Sequence, residues 1–262
     1  MSEPTHSVGG MDTWQTLPLW KEEPATTMPG TPPPAHGWTD AVGVFDLETT
    51  GVDVTSDRIV TAHVGLLDAS GTAVRAQSWL ADPGVAIPEG ATAVHGITTA
   101  HARAHGSPAS VVIAAVVAAL RDLLDAGIPV VAYNAPFDFS LLKYEALRHG
   151  IPPILEPSPV IDPLVLDKAH DRFRRGKRTL EAVAAHYAVP LVDAHDAAAD
   201  AIAAGRVAQA LARRFDIDAP LHELHTRQVG WARAQADSLT EYFIRIGRLD
   251  PDDRLDGSWP IR

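Results

Sequence analysis

Residues 41–50 read AVGVFDLETT. Val42, Val44 and Phe45 make a buried strand, and the chain turns polar as that strand ends, at Asp46 and Glu48. Residues two apart on a strand face the same side, so the two carboxylates project together. A pair of hard oxygen ligands on one surface suits Mg²⁺ or Mn²⁺. Taken alone, the stretch reads equally well as a strand running into a polar turn with no ligand.

Working outward, residues 58–67 and 73–80 read as two further strands, with an Ala-Ser-Gly turn at 69–71 between them. Connections this short imply an antiparallel meander. Residues 82–98, which include VHGIT, read as a loop. Ser107-Pro108 signals a helix start, and the Ala/Val/Leu run that follows reads as a buried helix ending at Gly127. Residues 129–133 give a short apolar strand. Asn134 stands where a helix cap would, Pro136 falls in the first turn, and Gly150 ends that helix. Val160-Ile161 reads as a fifth strand, and Asp162-Pro163 as a helix start that Asp162 caps. Helices are expected over 179–187 and from about Asp196 to Arg214. A meander followed by strand–helix alternation indicates an α/β fold with a mixed five-stranded sheet flanked by helices. Residues 216–262 read as a helical C-terminal extension. In it Leu239, Tyr242, Phe243 and Ile246 recur at helical spacing as a packing stripe, and the last dozen residues are expected to fray.

Residues 1–38 are rich in Pro, Thr and Gly and read as a disordered tail. That leaves residues 39–215 as the main domain. The chain has no Cys, which excludes a disulfide framework, a thiolate metal site and a cysteine nucleophile. No signal peptide is visible, and the longest aliphatic run, residues 111–120, is too short to span a bilayer. The expectation is a cytoplasmic protein with no membrane partner. A formal net charge of −11 argues against binding nucleic acid by bulk charge. It leaves room for a nucleic-acid enzyme whose carboxylates are offset by bound cations.

Two more segments carry acids. NAPFDFSLL, residues 134–142, sets Asp138 in the first turn of a helix among apolar neighbours. The helix dipole favours its ionised form there, and a buried acid needs a partner, for which a cation serves. HDAAAD, residues 195–200, holds His195 and Asp200. Residues five apart on a helix diverge by about 140°, so His195 belongs just before the helix, with Asp196 as cap and Asp200 inside it. A histidine, with an ordinary pKa near 6.5, can take a proton from water.

Together these motifs resemble the DEDD superfamily of 3′–5′ exonucleases, in the subgroup with histidine in its third motif, and are most similar to the proofreading epsilon family of bacterial DNA polymerase III. The likeness covers residues 41–215. It implies a ribonuclease-H-like fold, two divalent cations (Mg²⁺ or Mn²⁺), and release of nucleoside 5′-monophosphates from DNA 3′ ends, as single strands or frayed termini. Asp46, Glu48, Asp138 and Asp200 would hold the metals, with His195 as general base. The alternatives are an RNA-trimming exonuclease with the same site, or a non-catalytic module that recruits replication proteins.

For the substrate, the turn at Thr49, Thr50 and Gly51 offers hydroxyls and backbone N–H groups to a terminal nucleotide. Similar enzymes imply a pocket role for Thr49, Val52 and His95. Asn134 can meet the nucleic acid, although capping explains it equally well. The basic stretch from Lys168 through Arg172, Arg174, Arg175, Lys177 and Arg178 can grip phosphates or be a solvated loop. Residues 14–20, WQTLPLW, loosely resemble peptides that bind the bacterial sliding clamp, with Pro18 where Leu or Met is usual, so the segment reads either as a docking motif for a clamp or polymerase or as a tail that folds back on its own domain.

Overall fold

A computed structural model describes residues 37–191 and 194–262. The clamp-like segment at 14–20 and most of the expected tail lie outside the described residues. Trp38 lies inside them and is buried, its indole Nε1 donating to the Ile217 carbonyl at 2.9 Å. The folded chain therefore already includes residue 38.

Strands β1 (Ala41–Thr49), β2 (Ile59–Asp68) and β3 (Ala73–Asp82) form the expected antiparallel meander. A two-residue strand, β4 (Ser107–Pro108), pairs parallel to the end of β3. On the other side β5 (Val130–Val131) runs parallel to β1, and β6 (Val160–Ile161) parallel to β5. The sheet order is β4-β3-β2-β1-β5-β6, six strands rather than five. The extra strand depends on Gly106. A Cβ there would sit 2.5 Å from the Asp82 nitrogen, so only glycine lets the chain lie against the edge.

Two seven-residue helices, α1 (Glu89–His95) and α2 (Thr99–His105), follow β3. The first occupies a segment whose sequence reads as loop. Long helices α3 (Ala109–Asp125) and α4 (Ala135–Arg148) cover one face of the sheet. There Val112, Ile113, Val116 and Leu120 of α3 and Phe139, Leu141 and Leu142 of α4 pack on Phe45, Leu47 and Val64. After α5 (Pro163–His170) and α6 (Leu180–His186), helix α7 (Ala197–Phe215) covers the opposite face. Its Ala201, Ala204, Val207, Ala208 and Leu211 pack on Val42, Val44 and Leu67. Gly205 sets the close approach, since a Cβ there would lie 2.5 Å from Val44 Cγ1 and 2.6 Å from Leu67 Cδ1.

Helix α8 (Leu221–Arg245) is anchored by buried Leu224, Gln228 and Thr240. Beyond it the chain does not fray. Trp259 is buried, its Nε1 donates to Asp162 at 3.3 Å, and the Arg262 nitrogen donates to Ser140 Oγ at 2.8 Å. One indole that fills a core gap and meets a buried acceptor holds the segment down. The expected packing stripe on α8 is likewise not core: Leu239, Tyr242 and Ile246 are all exposed.

Asn134 does not cap α4 with its side chain. It adopts the left-handed conformation, at φ 64°, with no side-chain cap bond. Asp162, just after β6, does the capping. Its Oδ1 accepts from the Asn134 nitrogen and its Oδ2 from the Ala135 nitrogen, both at 3.0 Å. Its Oδ1 also accepts from Leu164 at 2.9 Å and so caps α5, as its place before Pro163 suggests.

Candidate active site

The acids gather where β1 runs out toward α7. Asp46 and Glu48 alternate with Phe45 and Leu47, which are buried on the α3–α4 face, so they turn to the α7 side. Across the sheet Asp46 is paired with His63 and Glu48 with Thr61. The ladder shifts register just after Glu48, the kind of bulge that re-aims side chains at a site. Asp200 arrives from the first turn of α7, brought in by the close seating of that small-residue helix. Asp196 caps α7, accepting from the nitrogens of Ala198 and Ala199 at 3.0 Å. Asp138 comes from the first turn of α4, is buried, and accepts from the Leu47 nitrogen at 3.1 Å.

The electrostatics record the crowding. Burial, then Asp138, Glu48, Asp200 and Asp196, raise the Asp46 carboxyl well above its usual range. Burial, then Asp200 and Asp196, push Glu48 up to about 8. Burial also raises Asp138 strongly, against the pull of backbone N–H groups. Burial raises Asp200 as well, with the His195 N–H opposing. Carboxylates that raise one another in this way are relieved by bound cations.

One atom tests the fit directly. Asp200 Oδ1 is buried and has no hydrogen-bond partner. A lone buried acceptor is costly, and a cation is a partner that would satisfy it. Ligand atoms of Glu48, His195 and Asp200 all lie within 4.8 Å of one another. The donor set, oxygen-rich with one imidazole, suits hard or borderline divalent ions.

His195 sits before α7 in the left-handed conformation, at φ 71°, with its nitrogen donating to Asp200 Oδ2 at 3.3 Å. Its ring is exposed and Nε2 lies 3.4 Å from Glu181 Oε1, an acid of α6 that sequence reasoning did not single out. His63 was also missed. It is buried on the site-facing side of β2, bonded to Ser78 Oγ at 2.8 Å through Nδ1, with Nε2 unpartnered. The cross-strand register opposite Asp46 is the signal that could have found it.

The turn after β1 is built by Asp57. Thr50 is buried and donates to Asp57 Oδ1 at 2.8 Å, and a Cβ at Gly51 would lie 2.5 Å from Asp57 Oδ2. Thr50 and Gly51 thus form the turn's frame. Thr49 Oγ1 donates to the Gly51 carbonyl at 2.6 Å. Val52 is 87% exposed. His95 lies beside Thr49, with its Nε2 buried and unpartnered; burial pulls its pKa down against the Thr49 backbone.

The basic stretch divides. Asp167 of α5 is fully buried and accepts from Arg174 Nη2 at 2.9 Å, from Tyr187 Oη at 2.8 Å, and from Arg178 Nη1. Burial pushes Asp167 up, but Arg174, Tyr187 and Arg178 outweigh it and hold its carboxyl low. The reading of Arg174 and Arg178 as phosphate grips is therefore corrected, because their guanidinium groups are spent on a buried carboxylate. Arg175 and Lys177 remain exposed.

Comparison with known proteins gives the frame its family. The RNase_T exonuclease profile matches residues 44–208. The chain belongs to this exonuclease family. That match ends inside α7, so α8 and the buried C-terminal segment lie beyond it. Among relatives of this chain, a PolC-type DNA polymerase III from Lacticaseibacillus paracasei is 32% identical over 64% of the chain and 11% of its own length. A DNA polymerase III subunit epsilon-like protein from Rhodobacter capsulatus is 39% identical over 41% of the chain and 15% of its own length. The chain thus spans a small part of either relative. The zinc-bound E. coli exonuclease I–ssDNA complex superimposes with a TM-score of 0.56, at 21% identity, over 70% of this chain and 42% of that one. The ribonuclease-H-like α/β fold and the likeness to epsilon-type DEDD exonucleases both hold. No helix among the described residues is long and apolar enough to cross a membrane.

Proposed function

We propose that the chain is a metal-dependent 3′–5′ exonuclease that trims DNA ends, as single strands or frayed termini, and releases nucleoside 5′-monophosphates. The observation that carries this reading is the convergence of Asp46, Glu48, Asp138 and Asp200 from three separated segments, with carboxyl pKa values raised by burial and by neighbouring acids and an orphaned oxygen on Asp200. When bound, two divalent cations, Mg²⁺ or Mn²⁺, supply charge neutralisation at the attacking and leaving oxygens of an in-line displacement.

The chain's own groups have distinct tasks. Asp46, central among the acids, would serve both ions. Glu48 and Asp200 would complete the site nearer the attacking water, and Asp138 the other. His195 would take the proton from that water, moving off Glu181 to do so. Thr49, Val52 and His95 would line the pocket of the terminal nucleotide. The polymerase III relatives support a role on ends left by a polymerase, with residues 14–20 as the segment that would meet a clamp.

The test is nucleotide release from matched DNA and RNA strands labelled at each terminus in turn, under Mg²⁺ or Mn²⁺. A ladder shortening from the 3′ end, with monophosphate product, is expected from DNA. Asp46→Ala and His195→Ala should each lower the rate by at least a thousandfold without changing Tm by more than a few degrees. Unchanged turnover in His195→Ala would end its role as base. Shortening of RNA alone would reassign the substrate, and binding with no release under Mn²⁺ would make the chain a non-catalytic module.

A further inference from the structure

Away from the acids, the end of α5, the loop that follows it and α8 enclose a groove of about 650 Å³. Lys168, Arg172 and Arg245 line it, with Arg178 at the base and Glu241 the one acid on its wall. With Arg178 neutralised by buried Asp167, Lys168, Arg172 and Arg245 still face a single acid, a local reversal in a chain of net charge −11. Among the described residues, Arg178 alone of the groove's cations is committed to an ion pair. Lys168 is part-buried, and burial pulls its ammonium pKa down, against Asp162. Arg172 and Arg245 are exposed. The same walls present aromatic surface: Trp231, and Tyr242, 45% exposed, with the Arg245 guanidinium 5.4 Å from its ring centre.

The groove leads back toward the acids. A second cavity of about 330 Å³ shares Lys168, Gln235 and Leu239 with it and reaches Asn134 and Asp162. Asn134 lies four residues before Asp138 at the start of α4, roughly 6 Å along the axis. Along α8, the lining from Trp231 to Arg245 spans roughly 21 Å. A cationic track with aromatic faces is the physical form of a single-strand binding surface, where phosphates meet the cations and bases stack on the rings. The exposed Leu239 and Tyr242, which are not core, then have a use.

We propose that this groove, built by α8 outside the exonuclease family match, holds the part of a single nucleic-acid strand that lies upstream of the cleaved end. The proposal rests on the nuclease reading for its orientation, but binding itself is separable from cleavage.

The experiment uses the full chain in EDTA, with fluorescein-labelled dT16 followed by anisotropy over a range of salt. Arg172→Gln combined with Arg245→Gln should weaken binding at least tenfold at 100 mM salt. It should also flatten the log–log salt slope by about 1.4, two phosphate contacts at about 0.7 each. Tyr242→Ala should weaken binding several-fold with the slope unchanged, since stacking releases no counterions. Arg213→Glu, an exposed change on α7, should bind as the parent does. Parent-like affinity and slope in the double variant overturn the proposal, as does a parent chain that does not bind dT16. So does an acidic, aromatic-ended peptide that binds the parent more tightly than dT16 and loses its site in the double variant, since the groove is then a protein-docking site. Normal dT16 binding without nucleotide release under Mn²⁺ sinks the catalytic reading and leaves the groove standing.

Discussion

His63 shows what a single side chain near the acids costs. Its imidazole is buried, and that burial pushes its pKa down to about 4, with Asp196 pulling the other way. Above the unfolded value near 6.5 it is neutral in both states, and its contribution to stability is complete. As pH falls from 6.5 toward 4, the unfolded chain takes a proton that the folded chain refuses, so stability is lost across that window. The full loss is about 3 kcal/mol, from a fall of some 2.5 in pKa. His63→Asn removes this titration. Urea midpoints at pH 7 and pH 4 should show the parent losing about 3 kcal/mol more than the variant between the two. Equal losses would place the proton elsewhere. The arginines teach a different lesson at this scale. Arg174, Arg175 and Arg178 are alike in sequence, yet two are fixed on Asp167 and one is exposed. Nothing in composition distinguishes a guanidinium facing water from one facing a buried carboxylate, because the partner is chosen by the fold of the loop.

Among the elements, α4 and α5 depend on one residue. Asp162 satisfies the nitrogens of Asn134, Ala135 and Leu164 and meets the Trp259 indole. The sequence shows the local half of this, an Asp before Pro163. It conceals the distant half, since a cap supplied from just after a neighbouring strand has no sequence spacing. Asp162→Ala orphans several buried donors at once and should cost about 3 kcal/mol, read by urea unfolding, against about 1 for an ordinary cap. It should also lower nuclease activity more than stability loss alone explains, because α4 carries Asp138. A cost of 1 kcal/mol or less would mean that water replaces Asp162 at both helix ends. The elements themselves were legible to different degrees. β1 to β3 announce themselves by apolar runs and a short turn, and α7 by its Asp cap and Ala-rich face. β4 does not, because Ser107 and Pro108 bring no apolar period; their pairing follows from a glycine that lets two backbones touch.

For the molecule as a whole, the C-terminal segment ties layers together. Trp259 is buried and donates to Asp162 Oδ2, and its truncation leaves a large cavity and removes one of that oxygen's two donors, the Ala135 nitrogen remaining. Trp259→Ala should cost about 3 kcal/mol by urea unfolding, in the range typical of buried aromatic deletions. A change below 1 kcal/mol would show that the segment merely lies on the surface. The acid cluster works against stability at the same scale. Its raised carboxyl pKa values mean that folding gathers charge which cations, once bound, relieve.

The sequence by itself determined the strand that ends in Asp46 and Glu48, the helices that carry Asp138 and Asp200, and the layered α/β order. Each of these is written in local periodicity, capping residues and turn chemistry. Tertiary structure alone decided which basic residues stay free, that Asp162 serves two helices, and that α8 turns a half-exposed apolar stripe into the wall of a cationic groove. Those outcomes depend on partners far apart in the chain, whose meeting is governed by packing distance and burial and leaves no periodic mark in the residues themselves.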